Sequence, residues 1–147
     1  MILHDPDGAK GLGHGALLVG SKTDGGYTYM SKDGGISGVS GDSKFTVEQN
    51  IKSISEFLSS PSGLRYKDAL IIGVPHEVAQ GLINTMKEEL SASYNLAFRN
   101  CMEAVTNAMY INGMAVPRFI TTPNDAFQYM KDVLYTEPQT NWYWQRH

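Results

Sequence analysis

Eleven of the fifteen glycines fall within residues 8–41, and only Gly63, Gly73, Gly81 and Gly113 follow. Glycine is entropically costly inside helices and useful where backbone must turn or pass closely. The first third therefore predicts strands and turns, and the remainder predicts helices. Residues 15–20 (GALLVG) form a short apolar run between glycines and read as a buried strand. Residues 21–26 (SKTDGG) carry turn chemistry, since Asp-Gly and Gly-Gly tolerate positive φ. Residues 27–31 (YTYMS) are aromatic-rich and alternate, as a hairpin partner should. Asp33-Gly34-Gly35 closes that partner, and residues 36–43 read as a Gly/Ser loop.

Helical spacing then takes over. Val47, Ile51, Ile54 and Leu58 recur at four, three and four residues, with Thr46 and Gln49 placed as a capping box. Ser59–Gly63 ends that helix. Residues 69–74 (ALIIGV) read as a second buried strand. Pro75 suits a first helical turn, and Val78, Leu82, Met86 and Leu90 form one apolar stripe behind it. Ser91–Asn100 reads as a linker. A further helix spans about Cys101 to Tyr110 with Gly113 at its end. Thr122-Pro123-Asn124-Asp125 opens another, with Phe127, Met130 and Leu134 inward. The expected fold is α+β, a small antiparallel sheet against three or four helices. The 147 residues make one domain. Residues 1–10 and 136–147 are expected to be peripheral, and Trp142, Tyr143 and Trp144 to pack back onto the sheet more readily than to stand out as binding anchors.

Charge narrows the function. Twelve basic against fifteen acidic residues leave a net charge of −3. Nucleic acid is not an expected partner, because phosphate neutralisation needs a basic surface. No apolar run approaches the ~20 residues of a membrane span, and the N-terminal residues carry no signal-peptide pattern. The single cysteine, Cys101, permits neither an internal disulfide nor a multi-cysteine zinc site. It is either a buried apolar side chain or a reactive thiol. Asn100 is a good N-cap, so the helix can begin at the cysteine, where unpaired N–H groups favour a thiolate. A nucleophile also needs a base. His14 sits between Gly13 and Gly15 at a strand start, uncrowded and open to a close backbone approach. His4 lies in a segment expected to be loose, His147 is the last residue, and His76 is expected on a helix surface. Gly11-Leu12-Gly13-His14-Gly15 precedes a strand and lacks the Gly-Lys-Ser/Thr of a phosphate loop. Asp5-Pro6-Asp7-Gly8 lacks most of a calcium loop. No metal or cofactor is expected.

Gly13-His14 leading a strand (GHGALLVG), a hairpin ending in Tyr29-Met30-Ser31-Lys32-Asp33-Gly34, and Tyr94-Asn95 before Asn100-Cys101 (YNLAFRNC) occur in that order. Together, over about residues 11 to 113, they resemble the circularly permuted papain-like cysteine hydrolases, relatives of the NlpC-type peptidases and the lecithin–retinol acyltransferase group. The variant is similar to toxin domains at the C-termini of bacterial RHS and polymorphic toxin proteins. The resemblance implies a permuted papain-like fold, Cys101 as nucleophile and His14 as general base. It implies a third polar residue on the strand after the histidine strand. Tyr27, Tyr29 and Ser31 share one face there, so Ser31 or Tyr29 is expected to fill that place. Gly13 and Asn100 would lie against substrate, and a backbone N–H at the helix start would serve the oxyanion. It further implies a protein or peptide substrate, peptidoglycan stem peptides among the options, a cognate immunity protein as partner, and delivery by a secretion system such as type VI. The competing expectation is a non-catalytic papain-like module that binds a protein.

Overall fold

The computed structural model describes residues 1–33, 40–41, 44–95, 100–116, 122–134 and 141–146. The glycine-rich third folds as expected into strands. β1 (Ile2–Asp5), a single turn α1 (Gly8–Gly11), β2 (His14–Ser21) and β3 (Gly26–Asp33) come first. The two-residue β4 (Ser40–Gly41) and β5 (Lys44–Ile51) follow. The rest comprises α2 (Ile54–Ser59), a 3-10 turn at Gly63–Arg65, β6 (Asp68–Ile72), α3 (His76–Ser91), β7 (Tyr94–Asn95), α4 (Cys101–Ile111), α5 (Pro123–Leu134) and β8 (Asn141–Gln145). Six strands form one sheet in the order β5-β3-β2-β1-β6-β8, every neighbouring pair antiparallel, and β4 pairs separately with β7. The fold is α+β, and the sheet is larger than the small one expected.

Alternation divides the core in two. On one face Ile2, Leu17, Val19, Met30 and Leu70 pack under α3, α4 and α5, which present Leu82, Met86, Leu90, Val105, Met109, Phe127 and Met130. On the other face Leu3, Ala16, Leu18, Tyr29 and Ala69 pack with Phe57 of α2 and with Tyr66. The stripes expected on α3 and α5 are the ones that face the core. Gly113 (φ +79) follows α4, as its position predicts.

Four expectations are corrected. Residues 47–51 are not helical: they belong to edge strand β5, paired with β3 through Met30↔Val47 and Ser31↔Thr46. The helix starts at Ile54, where Ser53 Oγ accepts from Glu56 N. The spacing that looked helical joins a strand residue to a short helix across Lys52-Ser53. Second, the first ten residues are not peripheral. β1 lies inside the sheet between β2 and β6, and His4 is buried. Third, residues 141–145 complete the sheet as β8, with Tyr143 and Trp144 partly buried against the core clusters. Fourth, residues 91–100 contain β7 rather than only a linker. Most of the loop expected at 36–43, and residues 136–140 and 147, lie outside the described residues.

Candidate functional site

β2, β3 and α4 meet at one end of the sheet. Gly13 takes φ +93, a left-handed conformation that glycine adopts without steric cost, and its N–H bonds Gly8 O at 2.9 Å. A Cβ there would fall 2.1 Å from Asn124 Oδ1, so only glycine passes. Asn124, in the first turn of α5, donates from Nδ2 to Pro6 O and Gly11 O, while its Oδ1 meets His4 Nε2 at 2.8 Å. This pins the segment that leads into His14.

His14 shares the face of Ala16 and Leu18. Its Nε2 lies 2.9 Å from Ser31 Oγ and 3.7 Å from Asp33 Oδ1. Ser31 in turn donates to Asp33 Oδ2 at 3.4 Å. Arg65 reaches Asp33 Oδ1 from Nη1 at 3.2 Å and Asp5 Oδ2 from Nε at 3.7 Å. The ring lies over Tyr66. Burial pushes His14 down to about 4, the Arg65 guanidinium pushes the same way, and Asp33 opposes them. The imidazole is neutral at neutral pH, the form a general base needs.

Gly15 faces α4, where a Cβ would fall 2.4 Å from Met102 Cε. Pairing of β2 with β3 ends at Ala16↔Ser31, and one residue further the Gly15 N–H donates to Cys101 Sγ at 3.4 Å. Asn100 caps α4 as its residue type predicts, its Oδ1 accepting from Glu103 N at 2.9 Å. The thiol therefore sits at the helix start, against the residue that follows His14. His14 lies on the sheet face of Ala16 and Leu18, whereas α4, which carries Cys101, packs on the opposite face, and no hydrogen bond joins ring and sulfur. The expected thiolate is not the resting state. Cys101 has no exposed surface, and burial pushes the thiol up to about 11 despite the N–H groups of Gly15 and Met102. At pH 7 the pair is thiol plus imidazole.

Of the residues expected in the site, Ser31 contacts His14. Tyr29 does not: its hydroxyl bonds Tyr66 Oη at 2.7 Å deeper in the same face. Gly13 and Asn100 hold backbone, one letting the chain pass Asn124 and the other capping α4. Sequence reasoning missed Asp33, although the alternation Tyr27, Tyr29, Ser31 extends to it by one more step. It also missed Arg65, which arrives from a 3-10 turn that no periodicity announces. His76 is on the surface, beside Asp24. No group of three or more metal-ligating side chains occurs among the described residues. None of the helices is long and apolar enough to cross a membrane among the described residues. No protein-family model matches the chain, nor does any curated protein or solved structure.

Proposed function

We propose that the chain is a cysteine-dependent hydrolase or acyl transferase, with Cys101 as nucleophile, His14 as base, and Ser31 and Asp33 orienting the imidazole. One observation carries this reading. The residue after His14 holds the Cys101 sulfur by its backbone N–H at the capped start of α4, while His14 Nε2 is engaged by Ser31 and Asp33. Nδ1 is then the nitrogen that takes the thiol proton. The sulfur attacks a carbonyl carbon, the carbonyl π pair moves to oxygen, and backbone N–H groups at the α4 start receive that charge. Collapse expels the leaving group, which takes the proton from the imidazolium and leaves a thioester. Water or another nucleophile resolves it. The order of motifs adds to this reading the role of a toxic effector domain of the RHS kind, delivered by a secretion system, with peptide or protein as substrate and an immunity protein as partner. Expression of the chain in bacterial cytoplasm or periplasm should then arrest growth, and Cys101→Ala should relieve the arrest while the far-ultraviolet circular dichroism stays unchanged. A fully toxic Cys101→Ala protein would remove the reading.

A second reading has its own support: a non-catalytic papain-like module. The thiol is fully buried, pushed up to about 11 and not hydrogen-bonded to His14. Iodoacetamide separates the two. Catalysis requires the folded protein to alkylate at Cys101 near neutral pH, with a drop of at least about tenfold in His14→Gln. The module requires alkylation to track global unfolding and to ignore His14.

A further inference from the structure

A cavity of about 300 Å³ opens beside the start of α4. Lys32, Glu89, Asn100, Glu103 and Asn107 line it, with two alanines, and no large apolar side chain lines it among the described residues. Ligand pockets are more often walled by apolar and aromatic groups. Asn100, Glu103 and Asn107 recur on one face of α4 at three and four residues, so they present a polar stripe from the helix start inward. Two of the walls are deeply buried: Lys32 is 1% and Asn100 2% exposed. Lys32 Nζ donates to Glu89 O at 2.7 Å, which fixes the ammonium at the cavity wall by the end of α3. Glu103 Oε2 lies out of contact with solvent.

The cavity and the thiol are bracketed by the same two elements. Asn100 precedes Cys101. Lys32 follows Ser31, and continuing the register from Ala16↔Ser31 sets it across from Gly15, whose N–H holds the sulfur. The cavity is therefore lined by the chain neighbours of the thiol and of the histidine's partner Ser31.

We infer that the cavity is a specificity pocket for a polar amino-acid side chain carrying both an acceptor and a donor, best met by a carboxamide. Its carbonyl oxygen accepts from Lys32, and its amide N–H groups donate to the Glu103 carboxylate or the Asn107 oxygen. This deepens the proposed hydrolase and rests on it for the pocket's use, though not for the pocket's binding. It selects peptide over lipid ester: a fatty acyl chain offers neither a donor nor an acceptor to the polar groups that line the cavity.

The test is binding to the Cys101→Ala protein, which cannot turn over. N-acetyl-glutamine methylamide and N-acetyl-norleucine methylamide are titrated while the backbone amide resonances are followed. The glutamine compound should move the amides of Asn100, Glu103 and Asn107 and bind roughly tenfold or more tightly than norleucine, a margin expected of one hydrogen bond to a charged group. Lys32→Met should remove that margin. Should Lys32→Met fail to fold, Asn107→Leu, at a half-buried wall, should turn the preference toward norleucine. Norleucine binding as well as glutamine, or neither compound moving those amides, overturns the inference. Iodoacetamide alkylation of the wild-type thiol is read separately. Glutamine binding with an inert thiol removes the hydrolase and leaves the pocket. A reactive thiol without glutamine binding does the reverse.

Discussion

At the scale of single residues, His14 is held between opposite charges. Arg65 lowers its proton affinity and Asp33 raises it, while burial sets the level near 4. Two substitutions should therefore move one titration in opposite directions. Arg65→Met should raise the His14 pKa, and Asp33→Asn should lower it further, both visible in the imidazole C–H resonance whether or not turnover is observed. In the hydrolase reading the acid limb of kcat/KM follows His14. The base form exists above about 4, so wild-type activity should persist at pH 5, where an unperturbed histidine near 6.5 would already be protonated. Identical shifts in both variants would mean that the ring does not sense the pair. Both charged groups act through His14, so they are positioning residues. Asp33 was within reach of sequence reasoning, by extending a strand alternation already recognised. Arg65 was not, because no local pattern connects it to β3 across 32 residues.

At the scale of elements, β2 and α4 show how much the sequence discloses. The Asn100 cap was legible, since a side chain that accepts from N3 is a local device. Asn100→Ala should lower stability by about 1 kcal/mol in urea melts. Gly15 was legible as an uncrowded position but not as a helix contact, because Met102 reaches it only after the chain folds back. Gly15→Ala sets a methyl 2.4 Å from Met102 Cε and 3.4 Å from Met102 Cα. The thioether can move and the helix backbone less so. Gly15→Ala should therefore destabilise more than the cap variant and lengthen the Gly15–Cys101 contact, seen as a changed Gly15 amide shift. β5 was misread because an edge strand keeps apolar residues in sight: Phe45 and Val47 are exposed. The better local signal was Ser53 with Glu56 three residues on, where Glu56 also accepts from Lys52 N. β1 was missed because four residues before Asp-Pro are too few to show a period.

For the whole molecule, the buried thiol and the buried imidazole each tie stability to pH. Folding lowers the His14 pKa from 6.5 to about 4, so between those values the unfolded chain binds more protons. The His14 share of stability is complete above about 6.5 and falls as pH drops toward 4. Folding raises the Cys101 pKa from 9.0 to about 11, so the unfolded chain releases its proton first and stability falls as pH rises above 9. Linkage thus gives His14 an acid limb below about 6.5, on the order of 3 kcal/mol, and Cys101 an alkaline limb above 9. His14→Gln should reduce the acid limb by its own share and Cys101→Ser should flatten the alkaline one below pH 10, in denaturant midpoints taken across pH. Above pH 10 the buried hydroxyls of Tyr29 and Tyr66, both raised mainly by burial, add to the loss.

The grip of Gly15 on Cys101 spans 86 residues of chain and joins the sheet to the helix layer. The sulfur it holds belongs to the chain's one cysteine. In the binding-module reading, that makes the atom a stopwatch for a single event, the departure of α4 from β2. A disulfide reagent at low concentration would count how often the two part in proportion to its own abundance, and at saturation would count the partings themselves. Here the timer requires no engineered label.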